Sequence, residues 1–169
     1  MSGTEKKVVC VAGKTGCAAD IIVGILKLCG RDGCIEFVKG AQFPEIHEPT
    51  VLLLCQDCGG ITAGECQCVV SEYSLARNIK NCNPKTLRTY SSKTDAADFT
   101  ARNIRVTPDG FTAFEIVGVG IIGRVRLNTQ RSGVIDDVLA AAAAAVETGI
   151  PFADVLKALN SAELGRLCL

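Results

Sequence analysis

Apolar residues fall along this chain as short continuous runs early on, as strand-length stretches through the middle, and as helical stripes towards the end. Lys6 to Ala12 reads as a short buried strand, and Gly13-Lys14-Thr15-Gly16 then turns into a helix starting near Cys17. That helix carries Ala18, Ile21, Ile22, Ile25, Leu28 and Cys29 at i, i+3, i+4, i+7 spacing, so one face is apolar. Gly30 is placed to end it as a left-handed C′ residue, and Gly33 closes a tight exit. Cys34 to Val38 reads as a second strand, and Lys39 to Pro49, with the only histidine, as a loop. The run Val51 to Cys55 has the continuous apolar character of a strand covered on both faces. Cys68 to Ser71 is another short strand. Strand, helix, strand, strand in this order predicts a mainly parallel sheet with helical cover.

The pattern changes near residue 83. Leu87 to Tyr90, Asp98 to Thr107, Phe111 to Val117 and Ile121 to Leu127 have strand composition, and Pro108-Asp109-Gly110 is a strong hairpin signal. This block reads as an antiparallel meander. A helix from Ile135 to about Thr148 puts Ile135, Val138, Leu139, Ala142, Ala145 and Val146 on one face. Its alanines, Ala140 to Ala145, favour helix and permit close packing. Gly149 stops it, Pro151 suits the first turn of the next helix, and Phe152, Val155, Leu156 and Leu159 face inward there. The fold class expected is α/β. It comprises a mainly parallel, phosphate-loop-type sheet with flanking helices, a small antiparallel sub-sheet and a C-terminal helix pair. All of it belongs to one unit, divided as 6–82, 83–128 and 134–166.

Composition narrows the function classes. Lys plus Arg and Asp plus Glu both number 18 in 169 residues, so no basic field invites nucleic acid. The apolar run from Leu139 to Val146 is too short to cross a bilayer, and no signal-like segment precedes the first strand. A cytoplasmic protein is expected, with no membrane partner. Of the ten cysteines, Cys10, Cys29 and Cys34 lie in or beside apolar stretches, where a free thiol behaves as a small hydrophobe; reduced cysteines are expected.

The candidate chemistry centres on the first strand and helix. A strand feeding a Gly-rich turn and a helix N-terminus is the geometry that cradles phosphates. The Lys and Ser/Thr that complete such loops are here Cys17 and Ala18, and Asp20 adds a carboxylate in the first turn. A small anion held on backbone N–H groups of Gly13, Lys14, Thr15, Gly16 and Cys17 is the binding reading that remains. Cys17 at a helix start is also a candidate reactive thiol, against the plainer reading of a cysteine of no consequence. Cys55, Cys58, Cys66 and Cys68 form C-x2-C and C-x-C pairs that offer four thiolates to zinc, against unligated loop cysteines. His47 reads as a solvated loop residue, and Asp136-Asp137 as acids complementing a helix dipole. No catalytic residue, cofactor or resident metal is assigned.

Several segments resemble the central, ATP-binding domain of the Mur ligases, and within that family the ligases that add the third peptide residue of the peptidoglycan precursor. The likeness lies in Val8 to Gly16 with Ile25 to Gly30, in Ala97 to Gly110, in Asp137 to Ala142 with Gly149-Ile150-Pro151, and in Gly165-Arg166. The family loop Gly-Thr-Asn-Gly-Lys-Thr-Thr lines up with Gly13 to Ala19, so its phosphate-binding Lys becomes Cys17 and its Mg²⁺-binding hydroxyl Ala18. The family's magnesium carboxylate falls at about Cys55, its Asn and Asp-His stretch on Tyr73 and Arg77-Asn78, and the Asn opening its alanine-rich helix on Asp137. The stretch holding its carbamylated lysine is missing between Asn78 and Leu87, and its UDP-sugar and amino-acid-binding domains are not expected in this chain. The resemblance therefore implies a non-catalytic relative acting as a binding or assembly module, as a homo-oligomer or with a protein partner, with cell-wall precursor metabolism as its setting. Two alternatives stand beside it: a partner-dependent ATP-binding ligase component, and a zinc-stabilised module.

Overall fold

A computed structural model describes residues 7–12, 16–33, 35–40, 51–54, 66–79, 84–131 and 133–167. In chain order these form β1 (Lys7–Ala12), α1 (Ala18–Leu28), β2 (Ile35–Gly40), β3 (Val51–Leu54), β4 (Cys68–Glu72) and a 3-10 turn (Ala76–Asn78). There follow β5 (Thr86–Ser91), β6 (Phe99–Val106), β7 (Thr112–Gly118), β8 (Ile121–Leu127), α2 (Val134–Glu147), α3 (Phe152–Leu159) and α4 (Ala162–Leu167). The strands make one eight-stranded sheet in the order β2-β1-β3-β4-β5-β6-β7-β8. From β2 to β6 every neighbouring pair is parallel, and β6-β7-β8 is antiparallel. The α/β class, the parallel part and the antiparallel part are as the sequence predicts.

One strand differs. Leu87 to Tyr90 reads from the sequence as part of the antiparallel meander, whereas β5 runs parallel to both β4 and β6. Adjacent parallel strands ordinarily need a long crossover. Here β5 and β6 overlap only at Tyr90↔Phe99 and Ser91↔Thr100, so a short connection suffices. Asp98 fixes that connection by accepting from the Thr89 amide at 2.8 Å, while the Thr89 hydroxyl accepts from the Asp98 amide at 3.1 Å.

The hairpin signal at Pro108-Asp109-Gly110 joins β6 to β7. Gly110 has φ +83°, its amide donates to the Thr107 carbonyl at 2.9 Å, and Thr107 donates to the Phe111 carbonyl at 2.8 Å. Arg126 pairs with Asp109 and lies 4.0 Å over the Phe111 ring, tying β8 to the turn.

α1 to α4 share one core with alternate sheet residues such as Val9, Val11, Leu53, Val70, Phe114 and Ile116. α2 lies at its centre. The periodicity predicts one buried stripe on α2, yet Val138 to Ala145 are all 0 % exposed. A helix apolar on every side is a buried helix. Alanine's small side chain lets α2 sit between the sheet and α1 without prising them apart. In α1 the buried face is Ile21, Ile22, Ile25 and Leu26, while Leu28, placed on the apolar stripe by its spacing, is exposed.

Both long helices end as their glycines predict. Gly30 (φ +64°) donates to the Lys27 carbonyl and Arg31 to Leu26; Gly149 (φ +97°) donates to Val146 and Ile150 to Ala145. This double closure satisfies carbonyls the helix leaves open. Lys7 Nζ donates to the Thr148 carbonyl at the end of α2, where a cation also complements the helix dipole. Pro151 sits at the N-cap of α3 rather than within its first turn. α4 is an additional short helix anchored by buried Leu164. No helix among the described residues is long and apolar enough to cross a membrane.

Candidate functional site

The site is built where β1 gives way to α1, at the C-terminal end of the parallel strands, the edge at which open α/β sheets bind ligands. Of the turn expected to hold an anion, Gly16 and Cys17 are among the described residues; Gly13, Lys14 and Thr15 lie outside them. Gly16 adopts φ +50°, and Cys17 is the half-buried N-cap of α1. Facing them is the first turn of α2, brought there because α2 packs along α1. A cleft of about 580 Å³ opens between the two helix starts, lined by Gly16, Cys17, Arg131, Gly133, Val134 and Asp137.

The carboxylate of Asp137 decides what this cleft can hold. Its Oδ2 accepts from the Cys17 backbone amide at 3.2 Å and from the Cys17 thiol at 3.1 Å. A Cβ on residue 16 would stand 2.7 Å from the same oxygen, so glycine there is what lets the carboxylate approach. A helix N-terminus attracts one anion to its open N–H groups. Here that anion comes from the protein itself. The neighbouring Asp136 acts likewise on another loop, accepting from the Ser92 amide at 2.8 Å. The two acids read as dipole complements of α2 thus also pin the loops after β1 and β5.

Neither Tyr73 nor Arg77, the residues aligned with the family's Asn and Asp-His stretch, lines the cleft. Tyr73 donates its amide to the Tyr90 carbonyl at 3.0 Å, and Arg77 lies exposed in the 3-10 turn. Asn78 belongs to the same turn. Arg131 is the cleft residue that sequence reading missed, since a single arginine in a polar loop carries no signal of its own. Asp137 reads from the sequence as a dipole complement of its own helix and as the position of the family's Asn; nothing local announces a partner 120 positions away.

The zinc reading falls partly outside the described residues, which exclude Cys55, Cys58 and His47. Cys66 and Cys68 are both buried. Cys68 faces the helices, where burial first and the nearby Glu147 carboxylate second push its thiol up to about 12, against the opposing pull of Arg88. Glu147 itself accepts from Arg88 Nε at 2.8 Å. Among the described residues no cluster of His, Cys, Asp and Glu has the makings of a metal site.

No protein-family profile and no curated protein matches this chain. Solved structures do. MurC from Thermotoga maritima superposes with a TM-score of 0.63 at 13 % identity, over 93 % of this chain and 45 % of its own. MurF from Acinetobacter baumannii gives 0.61 at 13 %, over 92 % and 45 %. A pseudomurein peptide ligase type C from Methanothermus fervidus gives 0.59 at 14 %, over 94 % and 50 %. The fold is that of the Mur ligase central domain. The chain spans about half the length of these three ligases.

Mg-ATP, which that fold implies, does not fit the described residues. As the resemblance aligns them, the phosphate-binding Lys and metal-binding hydroxyl of the Mur ligase loop fall on Cys17 and Ala18, neither of which supplies an ammonium or a hydroxyl oxygen. A phosphate oxygen on the Cys17 amide would also meet the Asp137 carboxylate already bonded there. Asp137→Ala is expected to lower stability by roughly 0.5–2 kcal/mol, the cost of losing a carboxylate at a helix start, as read by urea denaturation.

Proposed function

We propose that this chain is a non-catalytic domain with the Mur ligase fold, acting as a binding or assembly module. The observation that carries this reading is the Asp137 carboxylate bonded to the Cys17 amide, at the helix start where a phosphate would otherwise sit. Cys17 and Ala18 support it, because phosphoryl transfer depends on positioning and on cations that neutralise developing charge. Any small external anion at Gly16 and Cys17 has to displace Asp137, with Arg131 as the cation at hand. The ligase names of the structural neighbours suggest cell-wall precursor metabolism as the setting.

The alternative is an ATP-binding ligase component completed by a separate chain. The cleft of about 580 Å³ with Arg131 on its wall is what favours it. Differential scanning fluorimetry separates the two. Millimolar Mg-ATP is expected to leave the melting temperature unchanged, and the protein alone to release no phosphate from ATP. A ligand at 100 times its Kd stabilises by about 2.7 kcal/mol, a shift easily seen in a domain of this size. Such a shift, lost on changing Gly16 to valine, would overturn the non-catalytic reading.

A further inference from the structure

β8 forms one edge of the sheet, and its outward side is unevenly protected. Asn160, at the C-cap of α3, lays its side-chain amide along that edge. Its Oδ1 accepts from the Arg126 amide at 2.9 Å and its Nδ2 donates to the Arg124 carbonyl at 2.9 Å. One side chain thus imitates a neighbouring strand and closes the edge between residues 124 and 126. Peptide groups two residues apart point the same way, so Ile122 also turns its N–H and C=O outward. No described side chain closes that stretch as Asn160 closes the next, and the Ile122 side chain is 66 % exposed. Native edges are usually short, charged, bulged or covered. Among the described residues this one is blocked over half its length and left without cover over the other.

We propose that two copies of this chain join edge to edge through β8, with Ile122 opposite Ile122 across a two-fold axis, making one continuous sheet. The register follows from what the edge permits. Centring the pair on Ile122 places Gly120 of one copy opposite Arg124 of the other, so no two arginines face each other. Centring it on Arg124 would oppose like charges and drive the strand into Asn160. β8 begins immediately after the turn at Val119-Gly120, where Gly120 has φ +70°. A partner β8 therefore leaves the edge just where Asn160 stands, whereas a longer foreign strand would run into it. The free stretch matches the part of β8 that a second copy can offer.

Side chains support the pairing. Ile122 lies beside Val117 on β7, and Val119 at the turn is 55 % exposed. Two copies bring these residues together into an apolar strip on the sheet face away from the helices. Such self-complementarity is what a two-fold interface requires. The inference specifies the assembly part of the function proposed above and rests on it in that part alone.

Sedimentation of the intact chain from low to high micromolar concentration tests it. The wild-type mass is expected to double over that range, and Ile122→Lys to keep the monomer mass throughout with an unchanged melting temperature. Hydrogen exchange adds a readout independent of the variant: amides of residues 119–124 should slow as concentration rises, while those of 100–106 should not. A wild-type monomer at every concentration would overturn the proposal, leaving this edge to a strand from a different chain. A dimer that survives Ile122→Lys, or exchange at 119–124 indifferent to concentration, would do so as well. The nucleotide question is read by melting temperature with Mg-ATP and the pairing by mass, so either can fail alone.

Discussion

Replacing Leu139 by alanine will lower the unfolding free energy by about 2–5 kcal/mol, the range for a truncated, fully buried leucine. Leu139 is 0 % exposed in the middle of α2, the helix that touches both the sheet and α1. The residues that follow it on that helix, Ala140 to Ala145, are alanines too short to reach into the space it vacates. Urea denaturation measures the loss as a shifted midpoint at constant slope. Val106→Ala, at a position 59 % exposed, serves as the control and should change stability by no more than about 0.5 kcal/mol. A Leu139→Ala effect as small as the control's would mean that α2 is not the centre of the core.

Raising the pH above about 9 will lower the stability of this protein, chiefly through the Cys68 thiol. Cys68 is 4 % exposed and its thiol is pushed up to about 12 from the ordinary 9.0, chiefly by burial and then by Glu147. The folded chain keeps that proton while the unfolded chain gives it up above pH 9. The contribution is therefore whole below pH 9 and drains away as the pH climbs towards 12. Three pKa units at about 1.4 kcal/mol each make the full loss about 4 kcal/mol. Burial raises the Cys10 and Cys29 thiols too, with Asp154 adding to the rise at Cys29, so both push in the same direction. Stability measured against pH should fall from about pH 9 upward, and Cys68→Ala should flatten the greater part of that slope. A slope unchanged by the substitution would show that the Cys68 proton is not held in the folded state.

The parts of this fold that chain neighbours determine were legible beforehand. β1 and α1 announced themselves by an apolar run, a glycine and a helical stripe. Pro108-Asp109-Gly110 fixed the one tight hairpin it was expected to fix, and Gly30 and Gly149 ended their helices in the left-handed conformation. What the pattern could not carry was relation at a distance. The composition of Leu87 to Tyr90 says strand, yet nothing in it says which way the next strand runs, and β5 proved parallel. The stripe on α2 was real but understated, because alanine reads as indifferent until a second helix presses on it from outside. The first-turn acids of α2 looked like local dipole partners, and the reach of Asp137 to Cys17 appears only when α1 and α2 lie side by side. Of the candidate site, Gly16 and Cys17 could be singled out from the sequence, Gly13, Lys14 and Thr15 lie outside the described residues, and the Asp137 carboxylate at the helix start is a tertiary contact.

The brief overlap of β5 and β6 shapes how this molecule comes apart. Tyr90 and Ser91 on one side, Phe99 and Thr100 on the other, are the only rungs among the described residues that join the five parallel strands to the terminal three-stranded ribbon. Elsewhere the backbone ladders are longer, and α2 together with α3 must bridge the seam by side-chain packing. Breathing of the native state will concentrate at this joint, with the ribbon swinging free as one cooperative block before the parallel half gives way.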